Sequence, residues 1–198
     1  MLAVGSIGIN LIFWDVTTGE RLSQIDTIAP HPKLIRFSPD GTLLAVGTND
    51  NAVRLFEMIP EDKRDLFVLQ TAELEDLGFT LDGQYLLVGE GNGCLRSVQI
   101  PSLWQEKRQA VDRLPSPNSS NRNRLERLTF HPDGKHVASL INGERIVIWD
   151  AQRLSRLETL YGWGQTYAQA VYLPKLNRIV TGIYSNALHF WDATTGKL

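Results

Sequence analysis

The sequence predicts an all-β fold assembled from repeated units of four short strands. The clearest unit covers residues 37–57, FSPDGTLLAVGTNDNAVRLFE, and related segments recur at residues 79–99, 130–150 and 172–192. The aromatic residues that open these segments are spaced 42, 51 and 42 residues apart, and the residues that close them show the same intervals. A period of about 40 residues with four short strands per unit is typical of β-propeller blades, which are four-stranded antiparallel sheets.

The strands of one unit are predicted from its apolar runs and turn residues. They are expected at residues 34–38 (strand a), 43–48 (b), 52–57 (c) and 65–69 (d). Strand a ends at Ser38-Pro39-Asp40-Gly41, where proline presets φ, aspartate accepts backbone hydrogen bonds and glycine permits a positive φ. The run Leu43-Leu44-Ala45-Val46 has no polar alternation. Strand b is therefore expected to be covered on both faces, as in a sheet packed between two neighbours.

Over the whole chain the pattern predicts about five blades. Their approximate ranges are 1–26, 33–71, 74–111, 125–161 and 166–198, with a loop insertion at 112–124 that accounts for the longer interval. The first blade has no strand a and the last has no strand d, so both are incomplete. Unpaired strand edges invite pairing with another strand. The sequence therefore predicts an open arc or a fragment of a larger ring, completed by further blades or by another chain.

Composition and charge are those of an ordinary soluble domain. The chain is 42% hydrophobic with a net charge of −2, which favours neither nucleic acid nor an anionic membrane as a partner. Its one cysteine, Cys94, cannot form an internal disulfide, which favours a reducing compartment. No apolar run approaches the roughly 18 residues that a spanning helix needs, and the apolar start matches the repeat's own strands. A cytoplasmic protein is predicted.

Paired tryptophan and aspartate residues close three of the units. They are Trp14-Asp15, Trp149-Asp150 and Trp191-Asp192. With the Asp-Gly pairs of the a–b turns, these dipeptides give a sequence that resembles the WD-repeat family of β-propellers along nearly its whole length. The resemblance implies a scaffold or sensor module that binds other proteins, is not an enzyme and needs no cofactor.

The resemblance is incomplete in one respect. The family's best blades join a histidine before strand a, a Ser/Thr in strand b, an Asp in the b–c turn and the tryptophan of strand c by hydrogen bonds. Counted without gaps, the Ser/Thr position is occupied by Ser6, Thr48, Glu90, Ile141 and Ile183. No unit has the full set, so the blades are expected to depend on apolar packing between neighbours.

The predicted protein-binding residues lie in b–c turns and d–a connections, which emerge on one face of such a ring. They are Asp50, Asn92, Arg122, Arg124, Trp163 and Ser185. Arg122 and Arg124 belong to the insertion, which could also be a solvated linker, and Trp163 stands where the family has histidine, so it could instead fill that gap. If the insertion bound nucleic acid, the affinity would depend on salt and would be lost on changing both arginines to alanine.

The rival to a binding module is a hydrolase with a site at the central channel. It requires carboxylates or histidines clustered on the a strands, which offer a mixed set: Lys33, Arg36, Glu73, Glu75, Asp76, Glu126 and Arg127. The chain has no Gly-x-Ser-x-Gly motif, and the glycines of residues 89–93 lie in a hairpin without a following helix, so no phosphate loop is predicted. His131 and His136 flank a turn, but their spacing does not match a zinc motif, and no metal is predicted.

Overall fold

The computed structural model describes residues 1–5, 10–25, 31–58, 63–100, 111–113, 124–161, 167–183, 187–193, 195 and 197. These residues form 18 strands and one short 3-10 helix over Pro174–Leu176. The chain divides into two compact units, Met1–Leu74 and Glu75–Leu198. Among the described residues, none of the helical segments is long and apolar enough to cross a membrane.

Unit 1 contains two antiparallel sheets whose strands follow one another in sequence order. The first sheet consists of β1 (Leu2–Gly5), β2 (Leu11–Trp14) and β3 (Arg21–Ile25). The second sheet consists of β4 (Pro32–Phe37), β5 (Leu43–Thr48), β6 (Ala52–Met58) and β7 (Lys63–Gln70).

Unit 2 contains three sheets of the same sequential, antiparallel kind, although Leu74, the first residue of the first of them, belongs to unit 1. The third sheet consists of β8 (Leu74–Phe79), β9 (Tyr85–Glu90), β10 (Leu95–Gln99) and β11 (Val111–Arg113). The fourth consists of β12 (Leu125–Phe130), β13 (His136–Ile141), β14 (Arg145–Asp150) and β15 (Arg156–Tyr161). The fifth consists of β16 (Tyr167–Leu173), β17 (Arg178–Ile183) and β18 (Leu188–Asp192). The all-β fold class of four-stranded antiparallel blades is confirmed, with three described strands in the first and last sheets.

The second sheet shows why the repeat folds this way. All six residues of β5 are buried, as expected of a strand covered on both faces. At the a–b turn Gly41 has φ 74°, and Ser38 Oγ donates a hydrogen bond of 2.6 Å to Asp40 Oδ1. The backbone N–H of Thr42 donates to the same carboxylate oxygen. The turn therefore has the chemistry that the Ser-Pro-Asp-Gly sequence predicts.

The predicted start of the loop insertion at Asp112 is wrong. Asp112 and Arg113 belong to β11, where they pair with Ser97 and Arg96 of β10. Strand d is the outer strand of its sheet, so polar residues are tolerated there and composition alone does not mark its end. The remainder of the predicted insertion, residues 114–123, lies outside the described residues.

Apolar side chains fill the space between consecutive sheets within each unit. In unit 1, Phe13 of the first sheet packs with Leu44 and Phe56 of the second. In unit 2, one cluster joins Leu87 of the third sheet to Trp149 of the fourth. A second cluster of unit 2 joins the fourth sheet to the fifth. Each fully buried side chain of this size contributes about 1.5–3 kcal/mol relative to exposure, so burial between the sheets stabilises each unit.

Two glycines of the third sheet allow the fourth sheet to approach its backbone closely. A Cβ atom added to Gly89 would lie 2.3 Å from Leu125 Cδ2, and one added to Gly78 would lie 2.3 Å from a ring carbon of Phe130. Leu125 is fully buried. The first strand of the fourth sheet therefore packs directly against the backbone of the third sheet at these two positions. The contact is possible because glycine has no side chain.

We expect Gly89→Ala to destabilise the chain by about 1–3 kcal/mol, because the new methyl group overlaps a side chain that has little room to move. The matched control is Gly182→Ala at the equivalent strand-b position of the fifth sheet, where the nearest described atom to an added Cβ is Leu188 Cδ2, 4.0 Å away. That variant should be neutral or stabilising by up to about 1 kcal/mol. Urea unfolding followed by tryptophan fluorescence measures both, and equal effects would contradict the packing described here.

Candidate functional site

Asp50 occupies the b–c turn of the second sheet, in unit 1. Its side chain is exposed, and Oδ1 accepts hydrogen bonds from Thr48 Oγ1 and from the backbone N–H of Ala52. The next residue, Asn51, has φ 61°, and its Oδ1 accepts a 3.0 Å hydrogen bond from the N–H of Leu74. The turn is therefore stabilised by hydrogen bonds within its own hairpin and by one from Leu74, in the segment that follows strand d.

Asn92 occupies the corresponding turn of the third sheet, in unit 2. It is exposed, and its Oδ1 accepts a 3.0 Å hydrogen bond from the N–H of Cys94. Its amide nitrogen donates to Glu90 Oε2 at 3.4 Å. Glu90 is itself buried and pairs with Arg96, with 2.9 Å between Oε1 and Nη1. The exposed Asn92 side chain is thus hydrogen-bonded to Glu90, one member of a buried ion pair at the end of the hairpin.

Arg124 precedes the first strand of the fourth sheet, beside that sheet's b–c turn. Its backbone N–H donates a 2.7 Å hydrogen bond to Asn142 Oδ1 in the turn, and its guanidinium binds Glu75 Oε1, with Nε 3.1 Å from the oxygen. The side chain remains 55% exposed while Glu75 is only 10% exposed. The cation is therefore positioned by a largely buried carboxylate and presented to solvent.

Three of the six predicted binding residues are placed by the structure. Each of Asp50, Asn92 and Arg124 lies at the b–c end of its own sheet, the first in unit 1 and the other two in unit 2. The other three, Arg122, Trp163 and Ser185, lie outside the described residues.

The assignment of Ile141 and Ile183 to the Ser/Thr position of strand b is wrong, because the structure places a hydroxyl partner for each tryptophan elsewhere on that strand. Trp149 Nε1 donates to Ser139 Oγ at 2.8 Å, and Trp191 Nε1 donates to Thr181 Oγ1 at 3.0 Å. The gap-free count had placed Ile141 in this role, two residues further along strand b. The indole N–H reaches the diagonal neighbour across the strand pair, which counting along the sequence does not reveal.

Two of the carboxylates considered for a channel hydrolase, Asp76 and Glu75, have structural roles. Asp76 is 2% exposed, and its Oδ2 accepts a 2.9 Å hydrogen bond from the N–H of Leu128 on the neighbouring sheet. Glu75 binds Arg124 as described above. Through these contacts the two residues of β8 bind the residue before β12 and a residue in the middle of β12. They give no support to the hydrolase alternative.

A second cluster, which the sequence analysis did not predict as a site, lies at the opposite end of the fourth sheet, in its a–b turn. His131 Nδ1 is 3.0 Å from Asp133 Oδ1, and His136 Nδ1 is 2.5 Å from Asp133 Oδ2. Backbone N–H groups of Lys135 and His136 also donate to Oδ1. Partial burial alone would raise the pKa of Asp133, but the hydrogen bonds from Lys135, His136 and His131 outweigh it and lower the pKa to about 2. The carboxylate is ionised at neutral pH.

The histidine cluster opens into a cavity of about 240 Å³ between the fourth and fifth sheets. The ring of Tyr172 meets that of His131 edge to face, with centroids 4.7 Å apart. Burial, and then the negative charge of Asp133, raise the pKa of the Tyr172 phenol. The lining residues are His131, Asp133, His136, Ile148, Leu157, Glu158, Tyr172, Asn177 and Ala193.

A signal for this cluster was present in the repeat. His131 stands where the second and third sheets have Ser38 and Thr80, each of which donates a 2.6 Å hydrogen bond to the aspartate of its turn. A histidine on either side of the turn is therefore a departure from the repeat's own pattern, and it would have been found by comparing the units position by position.

Comparison with known proteins agrees with this architecture. Residues 23–57 match the family described as WD domain, G-beta repeat. This segment runs from strand d of the first sheet to strand c of the second.

Three known proteins have sequences similar to that of this chain. WD repeat-containing protein SL1-17 of Schistosoma mansoni is 26% identical over 77% of this chain and 47% of its own length. The 66 kDa stress protein of Physarum polycephalum is 24% identical over 90% of this chain and 22% of its own length. The uncharacterized WD repeat-containing protein sll1491 of Synechocystis sp. is 25% identical over 75% of this chain and 40% of its own length. The chain spans less than half the length of each of these relatives. With the repeated sheets and the tryptophan–hydroxyl pairs, the match of residues 23–57 and these relatives support a WD-repeat family for the chain.

Proposed function

We propose that the chain is a non-catalytic scaffold or sensor module that binds other proteins through the b–c ends of its sheets. Members of the WD-repeat family generally mediate protein–protein interactions. In this chain the binding residues would be Asp50, Asn92 and Arg124, together with Arg122, Trp163 and Ser185. The proposal includes a cytoplasmic setting, which its single free cysteine favours.

The observation that supports this proposal is the internal bonding of the exposed turns. Asp50, Asn92 and the Asn142 turn beside Arg124 each satisfy backbone donors of their own hairpin or its neighbour. A surface whose polar groups are already held in place loses little conformational entropy when a partner docks. Rigid turns with exposed polar side chains are suited to specific recognition rather than to catalysis.

The proposal is tested by photo-crosslinking from the two ends of one sheet. The photoreactive residue p-benzoyl-L-phenylalanine replaces Asn92 at the b–c end of the third sheet, or the exposed Gln84 at its a–b end as the matched control. A second pair uses Asp50 and the exposed Thr42 in the second sheet. Crosslinking in extracts of the source cells should give discrete products from Asn92 and Asp50 that an excess of unmodified chain suppresses.

The comparison between ends decides the outcome. We expect the b–c positions to give at least about tenfold more competable product than the a–b positions, since a 1.4 kcal/mol preference corresponds to a factor of 10. Equal labelling of both ends, or labelling from Gln84 and Thr42 alone, would contradict binding through the b–c ends of the sheets.

A further inference from the structure

The a–b turn of the fourth sheet brings three potential metal ligands together. One donor atom each from His131, Asp133 and His136 can be chosen so that all three lie within 4.8 Å of one another. Zinc binds such atoms at about 2.0–2.2 Å, so tetrahedral ligand atoms are about 3.3 Å apart. The three donors must therefore move closer to one another to share an ion.

The chemistry of the three donors selects one class of ion. Two imidazoles and a carboxylate suit a first-row transition metal, whereas calcium and magnesium prefer oxygen ligands throughout. The Asp133 carboxylate is fixed by the N–H groups of Lys135 and His136, so the central ligand is already oriented. A metal held here would not require the turn to refold.

Comparison among the units shows that the turn itself does not need these side chains. In the same turn of the second and third sheets, the aspartates Asp40 and Asp82 accept a hydrogen bond from a serine or a threonine hydroxyl. That hydroxyl residue takes the place of His131. The residue that corresponds to His136 is Leu43 in the second sheet. The fourth unit thus differs by two imidazoles whose Nδ1 atoms lie 3.0 and 2.5 Å from the oxygens of one carboxylate, and His131 Nδ1 also accepts a 3.1 Å hydrogen bond from the backbone N–H of Asp133.

The position of the cluster leaves room for a further ligand. All three side chains line the cavity between the fourth and fifth sheets, and three protein ligands leave at least one coordination position open. We propose that His131, Asp133 and His136 form a binding site for a divalent first-row transition metal, with Zn²⁺ as its simplest occupant and with its open position facing this cavity.

The test is a Zn²⁺ titration of the 198-residue chain, without a histidine tag, in competition with a chromophoric chelator. We expect one equivalent to bind. Asp133→Asn and His136→Gln should each weaken binding by more than about 100-fold, because even changes to groups behind the ligands typically cost 10–100-fold. The matched controls are Asp82→Asn, at the equivalent turn position of the third sheet, and His189→Gln, and both should bind as the unaltered chain does.

A spectroscopic measurement separates loss of ligands from loss of folding. Co²⁺ bound at the site should give a visible absorption band that is absent from Asp133→Asn, while the circular dichroism of that variant matches Asp82→Asn. The inference would be overturned by the absence of a stoichiometric site, by unchanged affinity in both ligand variants, or by an equal loss in Asp82→Asn.

Discussion

Replacing Glu90 with alanine is expected to cost about 3–5 kcal/mol of unfolding free energy. Glu90 is 1% exposed and Arg96, whose guanidinium it binds at 2.9 Å, is 6% exposed. Removing the carboxylate leaves a buried positive charge without this counter-ion. The cost therefore reflects desolvation of the remaining charge rather than the attraction within the pair.

Urea denaturation of the Glu90→Ala variant measures this cost. The control is Glu144→Ala, an exposed acid in the b–c turn of the next sheet, which should change stability by less than about 0.5 kcal/mol. The double variant Glu90→Leu with Arg96→Met removes both charges and should recover most of the loss, because an apolar pair of similar volume has no desolvation cost. A loss below about 1 kcal/mol in Glu90→Ala would contradict the buried pair.

Trp149→Ala should have a comparably large effect, about 3–5 kcal/mol, because it empties the largest side-chain position between the third and fourth sheets. Trp149 is 4% exposed and lies in the apolar cluster with Leu87 and Leu125. Ser139→Ala alone is expected to cost about 1–3 kcal/mol, since the buried indole N–H then loses its acceptor. Both values come from urea unfolding of the full chain.

A double-mutant cycle separates the hydrogen bond from the packing. The variant Ser139→Val with Trp149→Phe copies the pair that the second sheet has at these positions, Val46 and Phe56. It should be more stable than the sum of the single changes Ser139→Val and Trp149→Phe predicts, with a coupling of about 0.5–3 kcal/mol. Strict additivity would show that the 2.8 Å contact contributes nothing to stability.

Features set by short stretches of sequence were predictable, because their physical causes are local. Strand b at residues 43–48 was predicted with the bounds that the structure has, since an unbroken apolar run is flanked by glycine and asparagine turns. Gly41, Gly83 and Gly134 were assigned to turns, and all three have positive φ. Strand d was predicted less well, because an outer strand is polar on one face and resembles a loop in composition.

Features that depend on cross-strand geometry were not predictable from a linear count. The partner of Trp149 is Ser139 because the indole reaches diagonally across two strands, whereas counting along the chain pointed to Ile141. The candidate site likewise contains both residues that could be predicted from local sequence and contacts that could not. Asp50 and Asn92 were assigned to turns from their sequence neighbours, but the link from Arg124 to Glu75, 49 residues away, required the sheets to be in place.

The central claim of this account is that the third and fourth sheets stack face to face as consecutive blades, with the first strand of the fourth sheet against the backbone of the third. Methyl-labelled NMR tests it directly at Leu125 and Gly89. The account predicts a strong nuclear Overhauser effect between a Leu125 δ-methyl group and a Gly89 α-proton, because an added Cβ would lie 2.3 Å from Leu125 Cδ2. Absence of that cross-peak in the folded chain, with Leu125 methyls contacting only residues of their own sheet, would contradict it.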